Sequence, residues 1–298
     1  MPLERTKQNI GGKNNGFNCS DSRWVRYRRI HSGGMAKKVL DAIHNRLVVV
    51  PLVDHSWEAE LNYGDTMNVG LLNTVTATEV TVGTEGTVKD IATGSKKSIV
   101  VNQYWEAPVV IGNMSRMQSQ VALEAKAQRE AGYAVSKKMD STVCDLFSSL
   151  NSGTTKGTDG SAITDQVLID CVEELDENDV PEDGRVWVFD PSAKADIMAI
   201  DKFIRSDYGY GDVVPRGAFR KDVYGAPIFI TNNLTTNSTG SYGVYMHKEA
   251  LAFIGQENNK MDRVEQPLKH QVTINVTSLW GVLEMRDTFG VAVCTRKA

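Results

Sequence analysis

The sequence has few cysteines and no CxxC pair: Cys19, Cys144, Cys171 and Cys294 are scattered through 298 residues. That excludes the usual zinc spacings and a disulfide framework, and it favours a reducing compartment. No apolar run reaches the ~18 residues of a membrane-crossing helix, and the basic N-terminus lacks the apolar core of a secretory signal. Catalytic motifs are equally sparse. The five histidines (His31, His44, His55, His247 and His270) form no HExxH or other close metal pair, and His247-Lys248-Glu249 reads as a solvated turn. No GxSxG elbow accompanies the serines. Gly209-x-Gly211 lacks the third glycine of a dinucleotide loop, because position 214 is Val, and Gly11-Gly12-Lys13 lacks the flanks of a phosphate-binding loop. No cofactor or metal is expected.

What is present is a chain long enough for a large core, with 41% hydrophobic residues and a formal charge of -4. The charge is unevenly spread. Residues 1 to 50 carry ten Lys/Arg against Glu4, Asp21 and Asp41, a net +7, which leaves -11 for the rest. Residues 1–34 read as an extended basic arm. Its cluster Arg23, Arg26, Arg28 and Arg29, interleaved with Trp24 and Tyr27, suits either phosphate and base contacts or docking on carboxylates of a neighbouring molecule. Between Thr164 and Gly184 stand nine carboxylates and no Lys or Arg. They read as a solvated helix face, with an acidic surface facing a basic neighbour as the functional alternative.

Periodicity organises the remainder. Lys37 to Leu47 reads as a helix. From Tyr63 to Ile111, Thr, Val and Gly dominate, and the polar stretch around Gly83, Thr84, Glu85 and Lys89 suits the tip of a two-stranded projection that needs a partner to be stable. From Ser115 to Leu150, apolar or small residues recur at helical steps without a proline, which predicts one helix of about 35 residues spanning ~50 Å, capped by Ser115. Asn151 to Ser161 reads as a linker. Thr164 to Leu175 reads as a helix, Val186 to Phe189 as a buried strand, and Asp190-Pro191 as the cap of a helix to about Ile204. Ser206 to Phe219, with Tyr208, Gly209, Tyr210 and Gly211, reads as an irregular loop. Ala226 to Thr231, Gly243 to Met246 and the tail Gln271 to Thr295 read as strands. Strands before and after the mixed region make it an insertion into an α+β domain.

This order of elements resembles the Hong Kong 97-type fold of tailed-bacteriophage major capsid proteins. Local wording agrees: Trp57-Glu58-Ala59-Glu60 with Tyr63-Gly64-Asp65-Thr66-Met67-Asn68-Val69, then Ala134-Val135-Ser136-Lys137-Lys138-Met139-Asp140, Gly211-Asp212-Val213-Val214 and Val223 to Leu234. The resemblance covers about residues 36 to 298. It implies an N-terminal arm (1–34), a helix and lead-in (35–62), an E-loop hairpin (63–112), a peripheral domain with the spine helix (113–160), an inserted axial domain (161–256), and closing strands of the peripheral domain (257–298).

By the same resemblance, the expected function is a non-catalytic coat protein that self-assembles into the icosahedral head around double-stranded DNA. Its partners would be its own copies in pentamers and hexamers, a separate scaffolding protein, a portal, and packaged DNA by non-specific contact, with no membrane. It would reside in the virion after assembly in the host cytoplasm. The expected contact residues are Gly83, Thr84, Glu85 and Lys89 on the hairpin, Tyr208 to Gly211 near a symmetry axis, and Arg23, Arg26, Arg28 and Arg29 on the arm. Competing readings are an encapsulin-type shell of the same fold, disfavoured by the helix-poor basic N-terminus, an oligomeric α+β enzyme with a hidden site, and another phage structural part, disfavoured by the long helix.

Overall fold

The run Arg185-Val186-Trp187-Val188-Phe189 is out of water at every position, as a strand covered on both faces must be. A computed structural model of the chain describes residues 48–61, 64–71, 77–79, 81–83, 85, 96–118, 122–200 and 222–297, all within one unit, Asp41–Ala298. The fully buried run is strand β5 (Arg185–Phe189) of a six-stranded mixed sheet. The others are β4 (Thr155–Lys156), β6 (Asp222–Val223), β7 (Ala226–Ile230), β8 (Gly240–His247) and β11 (Gly290–Arg296), in the order β4-β11-β8-β5-β7-β6.

Alternation sorts this sheet's side chains onto two faces. Trp187, Phe189, Tyr245, Val291 and Val293 meet Leu168, Cys171 and Leu175 of helix α3 (Asp165–Glu177) and Ala193 and Ile197 of helix α4 (Pro191–Ala199). Val186, Val188, Val244 and Met246 point the other way, onto Val143, Cys144, Phe147 and Leu150. The Asp190 side chain accepts from the Ser192 N–H and Pro191 opens α4, so that start follows the sequence reading. Helix α4 stops at Ala199, before the expected Ile204.

The second sheet has three antiparallel strands, β3 (Gln103–Gly112), β10 (Gln271–Glu284) and β9 (Leu251–Gln266), in the order β3-β10-β9. Helix α2 (Leu123–Cys144) covers one face with Ala131, Val135, Met139 and Val143, spaced four residues apart, against Val276 and Trp280. Asp140, on the same helix, is fully buried. Its carboxylate accepts the N–H groups of Val49 (2.9 Å) and Val50 (3.0 Å) and the Asn233 side-chain amide (3.1 Å), and so joins three segments at one point.

The expected single helix over 115–150 is divided. Helix α1 (Asn113–Gln118) follows β3 directly and contains Ser115, which therefore is not the cap of the spine; Met117 is 84% exposed. Helix α2 has 22 residues and ends at Cys144. Phe147 and Leu150 continue the apolar rhythm because they pack on the six-stranded sheet, while Asn151 and Ser152 adopt positive φ and reverse the chain. The expected linker over 151–161 then supplies the edge strand β4.

Strands β1 (Thr66–Gly70) and β2 (Lys96–Val100) pair antiparallel, from Thr66 opposite Val100 to Gly70 opposite Lys96, and form the root of a hairpin. Val69, Ile99 and Val101 bury against Leu61, Ala252 and Met285. Gly281 of β10 admits this close approach, since a Cβ there would meet the Val100 carbonyl oxygen at 2.5 Å. Strand β3 leaves the hairpin for β10, so residues 103–112 belong to the sheet. The closing segment also divides: β10 completes the three-stranded sheet, whereas β11 enters the six-stranded one between β4 and β8. His247 is buried, not a solvated turn, with its Nε2 2.9 Å from the Asp183 carbonyl oxygen. The expected helix over 37–47 lies outside the described residues.

Candidate functional site

Two thiols and one imidazole among the described residues are tied into the fold. Cys144 and Cys171 are fully buried, and burial pushes both thiols up, Cys171 to about 12, far from the thiolate a nucleophile needs. His55 is engaged by Glu58 (2.9 Å) and the Val50 carbonyl (2.7 Å). No three His, Cys, Asp or Glu residues among the described set gather as metal ligands. What remains distinctive is surface.

The first such surface is the hairpin. Val82 is fully exposed, Gly83 turns with φ +94° in open space, and Glu85 is exposed. Thr84 and Lys89, the other residues expected there, lie outside the described residues. At the hairpin's root a groove of about 780 Å³ opens between Trp57, Lys97, Met285, Arg286 and Phe289. Lys97 donates to the Glu284 carbonyl at 2.9 Å, and the Arg286 guanidinium lies 4.7 Å from the Phe289 ring centre, so Lys97 is held by β10 and Arg286 by the turn that follows it.

The second surface is the face of the three-stranded sheet opposite α2. Register places Val110, Thr273 and Val264 in one row and Pro108, Asn275 and Asp262 in the next. Val110 and Val264 are each 55% exposed. Thr273 Oγ1 and Asn275 Oδ1 are shielded from water without a hydrogen-bond partner, an unusual cost on a sheet that could be solvated. The sequence reading missed this face. Its signal was the Val at 110 and at 264, visible only once the two strands are known to share β10.

The third is α3, where most of the acidic run resides. Leu168, Cys171 and Leu175 face the core, and Glu173, Asp176 and Glu177 face out, as the solvated-face reading expects. Asp165 accepts from the Tyr224 hydroxyl and Asp170 from the Gln166 amide, and two further carboxylates carry ion pairs. Lys156 pairs with Glu174 at 2.7 Å; its hydrogen bond, then that from Asn151, holds the Glu174 carboxyl below the usual carboxylate range. Arg185, nearly buried, pairs with Asp176 at 2.7 Å and also donates to the carbonyls of Val180 and Pro181. Arg23, Arg26, Arg28 and Arg29, and Tyr208, Gly209, Tyr210 and Gly211, lie outside the described residues. No described helix is long and apolar enough to cross a membrane.

No protein-family model matches the sequence, and no curated protein does. Solved structures do match. A chain of Mycobacterium phage Che8 is 19% identical, with a TM-score of 0.75 over 88% of this chain and 96% of that one. The capsid structure of cyanophage P-SCSP1u gives 15% identity and 0.70 over 91% and 94%. The asymmetric unit of the mature capsid of bacteriophage PhiM1 gives 14% identity and 0.68 over 88% and 91%. The chain therefore has the α+β fold of these phage capsid chains, the fold that the resemblance in sequence implied.

Proposed function

We propose that this chain is a major capsid protein whose copies close into the icosahedral head of a tailed phage around double-stranded DNA. The observation that carries the reading is the shared fold, which extends over nearly the full length of both chains in each comparison and leaves no large part of this chain to another task. The surface is consistent in kind. A shell subunit must spread its contacts over several neighbours, and a hairpin with a fully exposed Val82 and a sheet face with orphaned polar atoms each have something to gain from a second molecule.

In this reading the E-loop begins at 63 and ends at the root, near residue 102. The six-stranded body is the axial domain, extended by residues 290–296 of β11, and the three-stranded sheet with α2 is the peripheral domain. Gly83, Thr84, Glu85 and Lys89 contact a neighbour, Tyr208 to Gly211 meet their own copies near a symmetry axis, and Arg23, Arg26, Arg28 and Arg29 of the arm contact DNA or another subunit. A separate scaffolding protein and a portal complete the set of partners, and the finished protein resides in the virion after assembly in the host cytoplasm.

Expression of the full chain followed by size exclusion and negative-stain microscopy tests the reading. Hollow particles, or pentamers and hexamers, are expected, and a species that stays monomeric or dimeric at every concentration overturns it. Deletion of Thr84 to Thr93 is expected to leave soluble, folded protein that no longer forms shells. Limited proteolysis near Arg216 and Arg220 is expected to be rapid in the free subunit and slow after assembly.

A further inference from the structure

Helix α3 carries two stripes. Leu168, Cys171 and Leu175 are buried in the core beneath the six-stranded sheet. One position further on, Ile169, Val172, Glu173, Asp176 and Glu177 recur at the same three- and four-residue steps and, with Tyr224, line a groove of about 560 Å³. The floor of the groove is apolar, because Ile169, Val172 and Tyr224 are half-buried. Its rim is made of carboxylates. Asp176 is matched by Arg185, whereas Glu173 and Glu177 are exposed and have no cationic partner among the described residues. A groove built this way selects a peptide that offers cations beside a flat apolar ring.

The chain itself contains such a peptide. Arg23-Trp24-Val25-Arg26-Tyr27-Arg28-Arg29 puts four guanidinium groups and two aromatic rings into seven residues, within the part of the sequence that carries the excess positive charge. Nineteen residue steps separate Arg29 from Val48, a reach of ~45 Å with the helix expected over 37–47 in place. We propose that residues 23–29 of one copy dock in the acidic groove of α3 on another copy, with an aromatic ring over Ile169 and Val172 and guanidinium groups on Glu173 and Glu177. The proposal rests on the self-association reading above. The contact is heterologous, arm to groove, and so passes from each subunit to the next around a ring. Each exposed ion pair contributes little alone; burial of the ring and repetition around the assembly supply the rest.

The test uses the full chain with a photo-crosslinking benzoylphenylalanine in place of Tyr27. Two isotopically distinct preparations are mixed before assembly, so that links between chains are told from links within one. The expected result is interchain crosslinks to peptides containing Ile169 to Glu177. The double reversal Glu173→Lys with Glu177→Lys lowers their yield about tenfold, and adding Arg26→Glu with Arg28→Glu restores it. Both glutamates are exposed, and thermal melting confirms that the reversed chain is folded. Links confined to a single chain, links to co-purifying nucleic acid or to other surfaces, or a yield indifferent to the reversal overturn the proposal. Shell formation is scored separately by sedimentation. Shells without links to α3 remove the groove contact and leave the coat reading standing. Interchain links to α3 without shells support the groove and remove the coat reading, and the absence of both removes both.

Discussion

Strands β5 and β9 are both long-range partners in sheets of one chain, yet they meet water differently. Arg185 to Phe189 in β5 are buried at every position, because α3 and α4 cover one face and the end of α2 covers the other. Strand β9 buries Leu251 to Ile254 and then exposes every residue from Asn258 to Glu265. The six-stranded body therefore satisfies itself. In the three-stranded sheet α2 covers β10 with Val135, Met139 and Val143, whereas the outer part of β9 is exposed on both faces and Val110, Thr273 and Val264 stand in a row on the face opposite α2. Part of this molecule is closed on itself, and part stays exposed to solvent.

The sharpest way to break that comparison is to empty the self-satisfied body. The Trp187 ring stacks 3.9 Å from that of Tyr245 and 5.4 Å from that of Phe189, fully buried. Trp187→Ala is expected to cost about 3–5 kcal/mol in denaturant unfolding. A loss below about 1 kcal/mol would mean that the body is not held by this stack.

Next comes the joint at Asp140. Asp140→Ala removes the acceptor of two backbone N–H groups, and the expected loss is about 2–4 kcal/mol, with Asp140→Asn milder because it keeps one carbonyl oxygen. Amide hydrogen exchange should show Val49 and Val50 losing protection first. Equal losses for Ala and Asn would show that the charge, not the acceptor, matters.

A smaller effect is expected at Glu174. Its depressed pKa stabilises the fold above the ordinary carboxylate range, and that contribution disappears as pH falls through the lower folded value. Lys156 acts in the opposite sense, since its raised pKa keeps its contribution until pH rises past that of a free lysine. Both ends of the pair are partly exposed, so Glu174→Gln is expected to cost at most ~1 kcal/mol near neutral pH. The difference from wild type should vanish in strong acid, and a pH-independent difference in melting temperature would contradict the assignment.

The smallest change in stability is expected on the open face. Val264→Asp sits 55% exposed and should alter unfolding by less than ~0.5 kcal/mol. If this face is covered when copies associate, the same substitution lowers particle yield on sedimentation. A variant that unfolds easily as a monomer would move this face to the self-satisfied side of the comparison.

The two regions also differ in how far the sequence revealed them. Arg185 to Phe189 is a near-continuous apolar run, and Asp190-Pro191 marks a helix start by chemistry local to two residues, so both were legible. The outer half of β9, Glu257-Asn258-Asn259-Lys260-Met261-Asp262-Arg263-Val264-Glu265-Gln266, has neither alternation nor β-branched bias, and only its pairing with β10 makes it a strand. The spine was overextended because Phe147 and Leu150 keep a helical spacing while packing on a different sheet. Asp140 carried no signal, since a carboxylate inside a helix reads as solvated until its three donors, each distant in sequence, arrive. Of the expected contact residues, Gly83 and Glu85 are exposed on the hairpin; the remaining ones lie outside the described residues.

Strand β11 lies inside the six-stranded sheet, hydrogen-bonded to β8 on one side and to β4, far earlier in the chain, on the other, with Val291 and Val293 in the core. During synthesis the six-stranded body thus lacks an interior strand until residues 290–296 clear the ribosome, and pairings this distant in sequence form late and slowly. A truncated or still-tethered chain exposes the flank of β8 in place of a finished wall. Synthesis of residues 290–296 is the event that completes this sheet, a dependence set by strand order alone.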